Sequence, residues 1–579
     1  MTSQTTDART SAAEATSAQR APATRAPAVP VLELRNLNVW FDTNTSKRHP
    51  TSSHTVKGIN LAVRAGERVG LVGESGCGKT TTILAALGLL PASASVGGEV
   101  LLNGENIIAN GEAGIRSHRW NDIAMVFQGA MSAFNPVKTV GWQITEALEK
   151  HHYAQGRAAA ARVAELLELV GLPAATAARY PHQLSGGMKQ RAIIAMALSC
   201  DPKVLLADEP TTALDVVVQD QILRLLVRLS DELNLALILV THDLGVVAQS
   251  CTRAAVMLDG VIVEQGTVDD LYRRPQHPYT RSLFESTPSL DGAREPDASN
   301  VGHDTRRDAP APLLAVDGLR VTYPNNASKR ARAAQHPAVD GVSFTVEEGD
   351  LVSLVGQSGC GKTTTLHSIM GLITPNAGSI AINGTEVIGL ARKRWHDLRR
   401  EVQMIYQDPY EALDVRFRVE ETVEEPLLIH RIGGTRKQRA ELVHQALADV
   451  GLPPERFADR YPHELSGGQR QRVAIAASLV LRPALLLADE PVSMLDVSVR
   501  TGILELLDRL RREHRMGILM ITHDLSTAAT YSDRIVVMKD GRVVEDGTPW
   551  RVIHDPESEY TRQLLASVPN PDPLAPRAA

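Results

Sequence analysis

Gly73-Glu-Ser-Gly-Cys-Gly-Lys-Thr80 decides the fold of this chain, and it is met again as Gly356-Gln-Ser-Gly-Cys-Gly-Lys-Thr363. Each stretch follows a short apolar run, Arg68 to Val72 or Leu351 to Val355, and opens helical sequence, Thr80 to Leu90 or Thr363 to Leu372. A Gly-x4-Gly-Lys-Thr turn between strand and helix lets successive backbone N–H groups curl around phosphate oxygens, with the positive end of the helix behind them. Lys79 and Lys362 would reach terminal phosphates, and the Thr80 and Thr363 hydroxyls would ligate Mg²⁺. Gly73, Ser75, Gly76, Cys77, Gly78 and Thr81 complete one candidate cradle; Gly356, Ser358, Gly359, Cys360, Gly361 and Thr364 complete the other. Cys77 and Cys360 read as small fillers, with a reactive thiol beside a lysine as the alternative. A chance glycine-rich turn could explain one such stretch, but not two at matching positions.

Working outward, the whole chain repeats. Gly356 stands 283 residues after Gly73; Leu465-Ser-Gly-Gly468 and Asp489-Glu-Pro491 each stand 281 after Leu184-Ser-Gly-Gly187 and Asp208-Glu-Pro210. His523 follows His242 by the same 281, and Tyr323 follows Phe41 by 282. A near-constant offset over this span means two copies of one domain rather than a short-period solenoid. The copies are expected over residues 31–285 and 313–568. A polar, Pro- and Gly-bearing linker is expected over 286–312, with disordered tails over 1–30 and 569–579. The first 30 residues hold no apolar segment and so no signal peptide; their Arg and Ser content leaves a transit peptide as the alternative to a tail.

Composition narrows the class. Among 579 residues, 43% are hydrophobic, 22% are charged and the formal net charge is -6, which gives no support for nucleic acid as a partner. Apolar runs are strand-sized and none approaches the roughly 20 residues of a membrane span, so any membrane work would need other chains. Four scattered cysteines suit neither a disulfide framework nor a zinc site, and a reducing compartment fits them.

Val204 to Ala207 and Leu485 to Ala488 are continuous apolar runs, as expected for strands buried on both faces of a parallel sheet. Each ends in Asp-Glu. Asp208 and Asp489 are candidates to hold Mg²⁺, and Glu209 and Glu490 to orient and deprotonate an attacking water. His242 and His523 close two further apolar runs as Thr-His-Asp-Leu; a lone histidine is more often structural, but matching positions at a strand end favour a γ-phosphate contact, a step that needs the family resemblance given below. A mostly helical insert is expected over 135–183 and 414–464.

In that order, in both halves, these elements resemble the ABC ATPases over residues 31 to 568. Leu184-Ser-Gly-Gly-Met-Lys-Gln-Arg191 and Leu465-Ser-Gly-Gly-Gln-Arg-Gln-Arg472 look like that family's signature motif. The resemblance implies an α/β fold: two P-loop NTPase domains in tandem, each with a RecA-like core, an antiparallel β subdomain and a helical signature subdomain. It implies head-to-tail packing. One site would pair Lys79, Asp208, Glu209 and His242 with Ser466, Gly467 and Gly468; the other would pair Lys362, Asp489, Glu490 and His523 with Ser185, Gly186 and Gly187. Asp215 and Asp496 fall in the family's Leu-Asp element and join the nucleotide-binding set. Gln128 and Gln407 match the glutamine that contacts Mg²⁺ and reports to the partner. Phe41 and Tyr323 stand where an aromatic ring stacks on adenine, a core aromatic being the alternative. Both glutamates, histidines and signatures are present, so two hydrolytic sites are expected. After the glutamine, copy two has Asp408-Pro409 as the family often does, whereas copy one has Gly129-Ala130, which puts its coupling loop in doubt.

Pro278-Tyr-Thr-Arg-Ser-Leu283 and Glu559-Tyr-Thr-Arg-Gln-Leu564 resemble an extension typical of oligopeptide, dipeptide and nickel importers, and Phe127 to Pro136 looks like a variant of their stretch after the glutamine. The implied partners are two transmembrane permease subunits and, indirectly, an extracytoplasmic solute-binding protein. The implied place is the cytoplasmic face of the inner membrane. The implied solute is a peptide, or a relative such as nickel or glutathione. One chain supplies both cassettes, so the ATP sites require no homodimer. Family members often carry a cysteine cluster for an iron–sulfur centre after the Tyr-Thr element; no cysteine follows Cys360, and no such cluster is expected. The rival class is a soluble tandem ATPase acting on ribosomes. Such proteins join their cassettes by a long charged helical arm, which 286–312 does not resemble.

Overall fold

Short, fully buried apolar runs alternate with helical sequence along both halves, and runs of this length fit strands inside a sheet covered on both faces. The computed structural model describes residues 29–43, 51–129, 133–212, 214–287, 290–293, 311–323, 336–408, 412–493 and 495–574. Outside the described residues lie the tail as far as residue 28, most of the linker, residues 575–579, and Ala130 and Pro409 of the contrasting post-glutamine stretches.

Each half holds a six-stranded sheet. In the first half its order is Val261–Thr267, Arg253–Leu258, Arg68–Val72, Ala236–Thr241, Val204–Asp208 and Ile123–Val126. Five of these strands run parallel, and Val261–Thr267 pairs antiparallel at one edge. The second half has the same order in Arg542–Gly547, Arg534–Lys539, Leu351–Val355, Gly517–Thr522, Leu485–Asp489 and Val402–Ile405. The strand before each phosphate loop is therefore flanked by the one ending in Thr-His, with the Asp-Glu strand next. Val72 pairs with Thr241, and Asp208 with Val240, so all three chemically marked ends open on one sheet edge. Ligands of open α/β sheets bind at that carboxyl edge.

A four-stranded antiparallel sheet accompanies each half: Thr51–Val63, Leu32–Thr43, Ala94–Leu102 and Glu105–Asn106, repeated as Val339–Val346, Leu314–Val321, Ala377–Ile382 and Thr385–Glu386. Helices Val140–Lys150, Gly156–Leu169 and Gly186–Ala197 form a lobe whose apolar side is continuous with the core against the large sheet. Val419–Ile429, Arg436–Asp449 and Gly467–Leu479 repeat it.

The halves meet through two crossing segments. The Ser286 carbonyl accepts from Thr501 Oγ1 at 3.3 Å, and Leu290 packs with second-half residues including Leu525 and Leu564. Reciprocally, Val568 and the first residues of the segment read as a C-terminal tail, Pro569 to Pro573, run along Asp220, Arg224, Ala248 and Ser250 of the first half. Among the described residues, no helix is long and apolar enough to cross a membrane.

Candidate functional site

The phosphate loops are built from glycines that tolerate no replacement. Gly73 has φ 149°, and a Cβ there would stand 2.3 Å from the Met257 carbonyl oxygen; Gly356 has φ 156°, with Met538 oxygen at 2.2 Å. At Gly76 and Gly359, by contrast, a Cβ would meet nothing within 4 Å, leaving an open cradle above the loop. Lys79 is buried and donates to the carbonyls of Gly73 at 2.6 Å and Glu74 at 2.8 Å. Lys362 does the same to Gly356 at 2.5 Å and Gln357 at 3.0 Å. Thr81 and Thr364 lie in the helices that follow, Lys79–Ala86 and Lys362–Ile369.

Thr80 Oγ1 donates to Asp208 Oδ1 at 3.2 Å. Burial pushes the Asp208 carboxyl up to about 6, against the Thr80 hydrogen bond, and burial likewise raises Asp489. A carboxylate that costly to ionise gains most from a nearby cation. Among the described residues no three His, Cys, Asp or Glu side chains gather to cage a metal. A hard cation at Asp208 would thus depend on phosphate oxygens as well, which suits Mg²⁺.

Glu209 and Glu490 sit in the left-handed region, at φ 43° and 44°, a strained conformation for a non-glycine residue at a strand end. The bend aims each carboxylate along the sheet edge. Glu209 Oε1 lies 2.9 Å from His242 Nδ1, while Oε2 accepts from Gln128 Nε2 at 2.8 Å and Thr212 Oγ1 at 2.9 Å. Glu490 accepts from Gln407 Nε2 at 3.0 Å and lies 3.2 Å from His523 Nδ1. Burial pushes both glutamates up, but the hydrogen bond and charge of the neighbouring histidine lead the effects that outweigh it, and each carboxyl is held below its ordinary value. Both remain ionised at neutral pH, the form a water-activating base needs.

The halves face each other head to tail. A cavity of about 660 Å³ is lined by Ser75, Gly76, Gln128, Glu209 and His242 from one half and by Ser466, Gly467 and Gly468 from the other, with Gln407, Glu490 and His523 opening on it too. Ser75 N–H donates to Asp496 Oδ1 across the interface at 2.8 Å. Asp215, the repeat of Asp496, instead caps its own helix by accepting from Val218 N–H at 3.1 Å. Ser185 and Ser466 cap the signature helices, Gly186–Ala197 and Gly467–Leu479.

The aromatic candidates behave differently. Phe41 pairs with Ala94 of the neighbouring strand and packs partly against the core, whereas Tyr323 is 48% exposed and its hydroxyl lies 3.0 Å from Thr364 Oγ1. Sequence reasoning missed Thr212 and its repeat Ser493, whose hydroxyl donates to the Glu490 carbonyl at 3.1 Å. Their signal was present: a hydroxyl residue three positions after each glutamate, in both copies.

The ABC transporter family model matches residues 56–212 and 339–493, together more than half the chain, and the model for the oligopeptide/dipeptide transporter C-terminal region matches 263–310. The chain is 41% identical to a glutathione import ATP-binding protein of Pectobacterium atrosepticum, over 94% of its own length and 90% of that protein's. It is 40% identical to the Escherichia coli protein of the same name, over 94% and 91%. Among solved structures, the dimeric structure of the bacterial ABC transporter cassette MJ0796 is 30% identical, covering 41% of this chain and 99% of that one with a TM-score of 0.37. The family matches and the two relatives bear out the importer expectation, not the ribosomal rival. The chain belongs to the ABC transporter family, as the fused tandem ATP-hydrolysing subunit of an importer of the oligopeptide/dipeptide type.

Proposed function

We propose that this subunit works through two ATP sites, each shared between the halves, and powers uptake of a short peptide of the glutathione class. The head-to-tail apposition of Ser75 and Gly76 to Ser466–Gly468 carries the reading, because it is the geometry in which ATP bridges two domains. In the first site Lys79 would exchange its two carbonyl partners for β- and γ-phosphate oxygens, and the N-terminus of the opposite signature helix would face the γ-phosphate. Glu209, held by His242, Gln128 and Thr212, would take a proton from the attacking water as its oxygen bonds to the γ-phosphorus and the bond to ADP breaks. His242 would keep that carboxylate oriented and contact the γ-phosphate. Thr80, Asp208 and Gln128 would hold Mg²⁺, which supplies charge neutralisation on the phosphates. Lys362, Thr363, Gln407, Asp489, Glu490 and His523 would form the second site with Ser185–Gly187, by the repeat. Hydrolysis removes the bridge and lets the halves part.

Exposed apolar side chains adjoining the two glutamines, Phe127 and Tyr406, and others in the stretches that follow, Trp142 and Phe417, support docking of one permease subunit per half. Docking there would put the chain at the cytoplasmic membrane face, with an external binding protein delivering solute. The glutathione-import relatives support the solute class. Affinity purification of the tagged chain from detergent-solubilised cells tests the reading. Two multi-span proteins in near-equal amount are expected, and cells carrying that set should accumulate labelled glutathione or dipeptides in an ATP-dependent way. Recovery without any integral membrane partner would overturn the docking reading, and uptake of nickel chelates alone would overturn the solute class.

A further inference from the structure

Each phosphate loop is tied to the segment that follows its own cassette. Glu74 N–H donates to the Tyr279 hydroxyl at 3.1 Å, and Gln357 N–H donates to the Tyr560 hydroxyl at 3.0 Å. These are the tyrosines of the Pro278-Tyr-Thr and Glu559-Tyr-Thr elements, more than 200 residues from the loops they touch.

The bonded peptide unit is a special one. Glu74 N–H and Gly73 C=O belong to the same amide plane, and Lys79 Nζ holds that carbonyl at 2.6 Å. The plane is thus pinned at its oxygen by the lysine and at its hydrogen by the tyrosine. It adjoins Gly73 at φ 149°, so no side chain resists its rotation. When Lys79 turns to phosphate, the tyrosine remains as the holder of this amide. The next amide, Ser75 N–H, is engaged by Asp496 of the other half.

Both tyrosines are themselves rigidly placed. Glu264 accepts from the backbone N–H of Gln276 at 2.8 Å and of His277 at 3.0 Å, and His277 Nδ1 accepts from Tyr279 N–H at 3.2 Å. In the second half Glu545 accepts from Glu557 and Ser558 N–H, and Ser558 Oγ accepts from Tyr560 N–H at 3.2 Å. The capping residue and the loop residue differ between halves, while the tyrosine and its amide contact are the same. Burial keeps both phenols protonated, pushed up to about 12.

We propose that Tyr279 and Tyr560 are positioning residues of the two ATP sites, locking the first amide of each phosphate loop so that the extension after each cassette sets ATP affinity. This rests on the phosphate-loop reading above. The test uses the purified full chain carrying Tyr279→Phe, Tyr560→Phe or both, which keep the ring and remove the hydroxyl. Equilibrium binding of a fluorescent ATP analogue and steady-state ATPase are measured beside the thermal midpoint. The net worth of one hydrogen bond predicts a rise of about fivefold in Kd and in KM for ATP in the double variant, with kcat within about twofold. Leu283→Ala, which loosens the same first-half helix without touching the loop, should lower the midpoint and leave KM alone. Unchanged KM and Kd in the double Phe variant would overturn the proposal. So would a KM rise in Leu283→Ala as large as that in Tyr279→Phe, since a structural role would then suffice. Lys79→Ala with Lys362→Ala reports on the loops themselves: wild-type binding there would defeat the phosphate-loop reading, a result separable from the tyrosine outcomes.

Discussion

At the scale of single residues, each site turns on one carboxylate held out of the ordinary backbone regions. Glu209 and Glu490 share φ, a histidine partner and a glutamine partner, so they should do equal chemistry. Either Glu209→Gln or Glu490→Gln alone should therefore lower phosphate release to about half or less, and the pair should lower it by about 100-fold or more, the usual worth of a general base. Wild-type turnover in either single variant would mean a site that does not fire. The cysteines make a second residue-scale case. All four are buried, and burial raises every thiol, Cys251 to about 12. The native chain should react slowly with a disulfide reagent and release all four equivalents only on denaturation, whereas rapid reaction at Cys77 or Cys360 would restore the reactive-thiol reading. The same preparation is expected to carry no iron, checked by metal analysis and visible absorbance.

At the scale of elements, the repeat is exact in topology and inexact in contacts. Asp215 spends its carboxylate on the first turn of Val216–Glu232, while Asp496, at the head of Val497–His514, makes no such cap and reaches Ser75 instead. Asp215→Ala should then cost about 1 kcal/mol of stability through the lost cap, read as a lower urea midpoint with little change in KM. Asp496→Ala should do the reverse, raising KM for ATP with the midpoint nearly unchanged. Equal behaviour of the two would mean that the asymmetry is not functional. This level also marks where sequence reading stops. The phosphate loops, Asp-Glu strands and signature helices were legible because each is a contiguous motif whose chemistry needs fixed spacing. The order of strands was not, since Val72 meets Thr241 only through crossovers that leave no local trace. The Tyr279–Glu74 contact was hidden for the same reason: the Tyr-Thr element reads as a helix start and branch marker, and nothing nearby names its acceptor.

At the scale of the whole molecule, the halves are joined by more than ATP. Each sends residues after its Tyr-Thr helix onto its neighbour: Ser286 and Leu290 against Thr501 and Leu525, and Val568 to Pro573 against the first half. Pro569 fits so closely that a Cβ on Gly245 would come within 2.9 Å of its ring. Asp572 adds a partly exposed ion pair with Arg273 at 3.4 Å, worth little by itself in water. Apolar seating rather than charge should therefore hold this end. If the crossing segments keep the halves near each other while nucleotide is absent, a chain ended after Ser567 should open further. Small-angle scattering should show a larger radius of gyration for the truncated chain without nucleotide. ATP should restore the wild-type value in the Glu209→Gln, Glu490→Gln background, where the bridge is not hydrolysed. Gly245→Leu attacks the same contact from the opposite side and leaves the C-terminus intact, so it should reproduce the opening. An unchanged radius in both variants would assign closure to the nucleotide and the Asp496–Ser75 bond alone. A wild-type radius that grows on adding salt would instead transfer the role to the Arg273–Asp572 pair, because only exposed charges are screened so readily.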